Sequence, residues 1–214
     1  MRSHFFQLHS VKQGKKYEDY LNSCRESLGG WFGINVLMPH VFFIQSRKDY
    51  DKIRGRKTED WVVGSAIRNN IYILDPRIYT KESSHTDLNG FWLVLKHEYV
   101  HLFCYEITGT SDPRWLNEGL ACYLAKQEKW APDKKILINV NKFFDRGDKD
   151  IYTVGYFWVK HLITKYGKAK LLKLIKTVNP KTTKREFNKN FRKIYGFGLT
   201  KQELSKELAK IIKK

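Results

Sequence analysis

The spacing of apolar residues changes character at Phe91, and that change constrains the fold of this chain more than any single residue does. Before it, apolar runs are short and bounded by turn residues. Val41 to Ile44, after Pro39, reads as a buried strand, and Trp61 to Ala66 with Ile71 to Leu74 read as a hairpin around Arg68, Asn69 and Asn70. Tyr17 to Leu28 carries helical spacing and meets a stop signal at Gly29 and Gly30, and Lys48 to Arg54 reads as a helical connection closed by Gly55. From Phe91 onward the apolar positions recur at helical spacing over long segments. Strands first and helices second predict an α+β fold. We read residues 1–214 as one domain, with a helix and sheet lobe over about 1–90 and a helical lobe over about 91–214.

Within the helical part, Phe91 to Ile107 forms the first long helix, with Asp87 and Asn89 as alternative caps. Asp112 before Pro113 opens a second, through about Lys129. Tyr152 to Tyr166, stopped by Gly167, and Lys168 to Val178 follow. Two capping boxes, Thr183 with Glu186 and Thr200 with Glu203, open the last helices.

The first of the long helices carries His97-Glu98-Tyr99-Val100-His101. Histidines four apart lie on one helical face and can converge on a metal ion, while the carboxylate between them is displaced to the side, within reach of a water molecule there. Leu93, Val94, Val100 and Leu102 supply apolar neighbours on either side, so the helix reads as buried, where two histidines and a glutamate are costly unless compensated. A catalytic zinc needs a third protein ligand and an open position. Trp115-Leu116-Asn117-Glu118-Gly119-Leu120-Ala121 offers a carboxylate, Glu118, beside a glycine that permits close helix approach.

HEYVH followed by WLNEGLA resembles the gluzincin metallopeptidases of the peptidase MA clan, particularly the aminopeptidase N branch. The resemblance implies a thermolysin-like zincin fold with zinc at the junction of the two lobes, ligands His97, His101 and Glu118, and Glu98 as general base. It covers residues 91–158 most specifically. That branch also places a tyrosine in a Tyr-x-x-Gly pattern to stabilise the oxyanion, and Tyr152-Thr153-Val154-Gly155 occupies the corresponding place, with Tyr156 or a packing role as the alternatives. Two departures stand out. Sixteen residues separate His101 from Glu118, a tighter connection than is usual in those relatives. The strand region reads Gly64-Ser65-Ala66-Ile67-Arg68-Asn69-Asn70, without the GxMEN glutamate that holds a free amino terminus. An endopeptidase acting on a peptide or protein substrate is therefore expected over an aminopeptidase, with the strand pairing to extended substrate. Trp130 and the stretch Asn139 to Asp150 are expected to shape the cleft.

Composition frames the alternatives. The formal charge is +18, and lysines run along the whole chain, so the second reading is a basic protein that binds nucleic acid or an acidic surface on an inactive zincin scaffold. Nucleic acid is the less favoured partner, because Phe187, Phe191 and Tyr195 fall at helical spacing, as core residues do. A purely structural zinc site ranks last, since such sites complete four protein ligands and lean on cysteine. Cys24, Cys104 and Cys122 have no CxxC spacing and are expected as reduced, mostly buried thiols. No apolar run reaches membrane-spanning length. Met1 to Lys16 lacks the apolar core of a secretory signal, which points to a cytoplasmic protein.

Overall fold

The computed structural model describes residues 11–129 and 132–212; Met1 to Ser10, part of the stretch read for a signal, and Trp130 lie outside them. Among the described residues the chain is mixed α+β, mostly helical, with a small three-stranded sheet. Two compact units divide within one helix, after Phe103.

The first unit opens with α1, Val11–Phe32. It runs through Gly29 and Gly30, where the sequence predicted a stop, and ends at Gly33, whose φ of +72° is left-handed and whose N–H donates to the Gly29 carbonyl at 2.8 Å. A glycine terminates a helix only where the backbone needs positive φ, and composition alone does not locate that place. Next come β1 (His40–Ile44), α2 (Arg47–Arg54), β2 (Gly64–Ile67), β3 (Asn70–Leu74) and α3 (Asn89–Thr108). Ser46 caps α2 through the Asp49 N–H, and Gly55 closes it with φ +66°. The hairpin forms, with Arg68 at φ 55° in the turn and Ala66 opposite Ile71, but its first strand begins at Gly64 rather than at Trp61.

The sheet order is β1-β3-β2, with β1 parallel to β3 in a register that sets Val41 opposite Ile71. The central strand is the most buried, and Ile71, Ile73 and Leu74 are fully enclosed. Asp75, just beyond β3, is buried and accepts hydrogen bonds from Gln45 and from the Arg77 backbone and side chain. Burial alone would raise its pKa; the bonds from Arg77 and Gln45 outweigh this and hold it below the usual carboxylate range. Helix α1 packs on the first part of α3: Phe32 stacks on Phe103 at 5.4 Å, and the Tyr20 hydroxyl donates to the Trp92 carbonyl at 2.7 Å.

The second unit takes the end of α3 from Cys104 and adds α4 (Arg114–Leu124), α5 (Lys134–Leu137), α6 (Asp150–Tyr166), α7 (Lys168–Ile175), α8 (Lys184–Tyr195) and α9 (Lys201–Ile212). Helix α4 starts after Pro113 rather than on it, with no side-chain cap, and ends before Lys126, whose φ is +59°. Its closest partner is α6. A Cβ built on Gly119 would lie 2.3 Å from the Gly155 carbonyl atoms, and one built on Gly155 would lie 2.3 Å from the Trp115 oxygen. The two backbones touch because neither position carries a side chain. Trp115, Trp158, Phe187 and Phe191 fill the core beside this crossing. The capping box of Thr183 and Glu186 is fully formed, and Thr200 caps α9 through the Glu203 N–H.

Candidate metal centre

Helix α3 is apolar on nearly every side. Leu95, Tyr99, Val100 and Phe103 are fully buried, so the polar residues among them stand out. His97 and Glu98 are buried and His101 half-buried. The two imidazoles meet edge to face with ring centroids 4.7 Å apart, as a four-residue separation on a helix requires. One donor atom from each of His97, Glu98 and His101 lies within 4.8 Å of the others, a grouping able to hold a metal ion. A metal ion there would meet imidazole nitrogens first, with a carboxylate beside them.

The general-base candidate has a seat that the sequence reading missed. Gly64, the first residue of β2, faces α3: a Cβ there would lie 2.9 Å from Glu98 Oε1, 3.0 Å from its Cγ and 2.8 Å from Val94 Cγ1. The Gly64 carbonyl accepts a 2.5 Å hydrogen bond from the Tyr50 hydroxyl on α2. Tyr50 is fully buried, and its pKa is pushed up first by that burial and then by the charge of Glu98. The bare strand backbone, pinned by Tyr50, therefore abuts the carboxylate. Nothing in the spacing of Gly64 and Glu98 signalled this, because the contact joins two separate elements.

Glu118 and Tyr152 belong to the second unit. Glu118 lies in the second turn of α4 and is buried, 8% exposed. Its Oε1 is 3.6 Å from Arg114 Nη2, one turn earlier, a pair readable from the i,i+4 spacing. Its charge also reaches Cys104, whose thiol is pushed up to about 12 by burial first and by Glu118 second. Cys104 is thus the buried packing residue the sequence reading expected. Tyr152 sits half-buried in the first turn of α6, one turn before Gly155. Tyr156 is buried, its ring 6.4 Å from that of Tyr123. Glu118 adjoins Gly119 and Tyr152 precedes Gly155, so the glycine crossing fixes the register of the helices that carry them.

No protein family, curated protein or solved structure matches the chain.

Proposed function

We propose that the chain is a zinc-dependent metallopeptidase of zincin type that hydrolyses peptide bonds, with endopeptidase action favoured over aminopeptidase action. The observation that carries this is the group of His97 and Glu98, both buried, and His101, half-buried, with donor atoms within 4.8 Å of one another on one helix. His97 and His101 would hold the ion through ring nitrogens. Glu118 is assigned as third ligand on the resemblance of WLNEGLA to the gluzincin segment, and its burial on α4 suits a carboxylate with a task inside the protein. When bound, zinc supplies Lewis acidity and makes water a nucleophile near neutral pH.

The protein groups have separable roles. The Glu98 carboxylate accepts the proton of the attacking water at an Oε atom and delivers it to the nitrogen of the departing amine. The Tyr152 hydroxyl donates a hydrogen bond to the oxygen that gains negative charge as the carbonyl becomes tetrahedral. Tyr152 is favoured over Tyr156 because it is the less buried of the two, while Tyr156 is occupied in packing beside Tyr123. At the edge of the sheet, β2 has a backbone side away from β3 on which an extended peptide can pair at Ala66, beyond the Gly64 carbonyl that Tyr50 already holds.

The test is the zinc content of tag-free protein, wild type against His101→Ala, followed by digestion of a mixed peptide library by wild type and Glu98→Gln. The expected result is about one zinc ion per chain, lost on His101→Ala, and cleavage abolished by Glu98→Gln with zinc retained. Failure to take up zinc after careful reconstitution would overturn the reading and leave the basic binding protein as the better one.

A further inference from the structure

The charge of this chain is not spread evenly. Residues 160–214 contain 17 Lys and Arg against 3 Asp and Glu, a net +14, which leaves only +4 for residues 1–159. The type of cation changes as well. The last 55 residues hold 15 Lys to 2 Arg, whereas the first 159 hold 14 Lys to 9 Arg. A compositional bias of the whole chain would not sort lysine from arginine by position.

The fold presents these lysines outward. On α7 and α8, which follow one another and pack together, Lys173, Lys184, Lys189 and Lys193 are exposed, as is Lys176 directly after α7. None of these five forms an ion pair among the described residues. The three acids of the region are all engaged: Glu186 in the α8 capping box, Glu203 with Arg192 and Thr200, and Glu207, buried, with Lys165 and Lys210. The surface is therefore cationic with little internal compensation.

We propose that the exposed lysines of α7 and α8 make these two helices an adsorption site for an anionic lipid bilayer, independent of the peptidase reading. Three observations favour lipid over nucleic acid. Lysine, a mobile and strongly hydrated point charge, suits a smeared headgroup potential, whereas recognition of discrete phosphates draws on the planar arginine fork. At the N-terminus of α8, where backbone N–H groups could grip a phosphate, the capping box already takes them up, Thr183 Oγ1 accepting the Glu186 N–H and the Glu186 carboxylate the Thr183 N–H, although α7 has no side-chain cap. Phe187, Phe191 and Tyr195 are buried against one another and present no platform on which bases could stack. Up to Lys210, no large apolar side chain of this stretch is exposed, so adsorption is electrostatic, without insertion.

The experiment is vesicle co-sedimentation with the full chain, using phosphatidylcholine vesicles with and without about 30% phosphatidylserine, at low and high salt. Wild type is expected to bind only the anionic vesicles and to be released at about 0.5 M NaCl. Replacing Lys173, Lys176, Lys184, Lys189 and Lys193 together by Gln should weaken partitioning at least a hundredfold. A control carrying Gln at the exposed lysines Lys15, Lys48, Lys52, Lys57 and Lys81 removes the same charge elsewhere and should bind nearly as wild type does. Circular dichroism and thermal melting verify that both variants are folded. Equal binding to neutral vesicles, an equal loss in the control, or preference for a 20-base-pair DNA duplex over anionic vesicles at matched salt would each overturn the proposal.

Discussion

At the scale of single residues, the contact of Gly64 with Glu98 makes the sharpest demand. A methyl group at 64 would press on the Glu98 carboxylate and on Val94 from under 3 Å, and the strand cannot retreat freely while Tyr50 holds its carbonyl. Gly64→Ala is expected to cost about 1–3 kcal/mol of stability, as overpacking typically does. On the proposed peptidase reading, with Glu98 as base, it should also lower peptide cleavage more than zinc content, because Glu98 moves while the histidine side chains are untouched; urea melts, metal analysis and library digestion read the three effects separately. A second prediction concerns the thiols. Cys24, Cys104 and Cys122 are all buried, and burial raises the pKa of Cys24 and Cys104, so the folded protein should resist alkylation at neutral pH and expose all three thiols on denaturation. A rapid thiol titre in native buffer would contradict it. The histidines and Glu98 were legible in the sequence because one helix carries all three and its periodicity fixes their mutual placement. Gly64 was not, since a glycine announces only what it lacks, and the partner that makes the lack matter arrives from another element.

At the scale of elements, two contacts set how helices meet. The α4 and α6 backbones touch at Gly119 and Gly155, so Gly119→Ala or Gly155→Ala forces them apart and should cost about 3 kcal/mol, roughly 6–12 °C in Tm for a chain of this size. The other contact is Glu207, which anchors α9 on α6. It receives hydrogen bonds from Tyr166 at 2.7 Å and Lys210 at 2.9 Å and from Lys165, and it lies 3.1 Å from His161 Nε2. Burial alone would raise its pKa; bonds from Lys165, Tyr166, Lys210 and His161 outweigh this and bring it down from 4.5 to about 2. A depressed carboxylate pKa contributes its full stability above the unfolded value and loses it as pH falls toward the folded one, so this contribution, on the order of 3 kcal/mol, is present above about pH 5 and fades toward pH 2. Glu207→Gln should therefore melt well below wild type at pH 6, and the gap should narrow by pH 3; a gap independent of pH would mean that packing, not charge, holds α9. The glycine beside Glu118 was legible as a site of close helix approach, and the capping boxes were legible because three residues of sequence contain them. The parallel pairing of β1 with β3 and the run of α1 past Gly29 and Gly30 were not, because both depend on contacts made after those segments have formed.

For the whole molecule, charge decides how stability responds to salt. A net +18, most of it in the last quarter of the sequence, makes the compact state work against its own repulsion. Salt screens that repulsion, with a Debye length of about 30 Å at 0.01 M and about 8 Å at 0.15 M. It also weakens attractive pairs, but those that matter most here are sheltered: Glu207 is 1% exposed, and screening acts mainly on exposed charges. Exposed pairs such as Lys52 with Asp49 contribute little to lose. Repulsion should therefore dominate, and Tm should rise by about 2–4 °C between 0.01 and 0.15 M NaCl, equivalent to roughly 1 kcal/mol. The variant with five glutamines on α7, on α8 and at Lys176 should start from a higher Tm at low salt and respond less, because it has given up part of the repulsion that salt relieves. A Tm that falls with salt in wild type would mean that ion pairs outweigh the repulsion and that the lysines of the last four helices are more fully paired than the fold indicates.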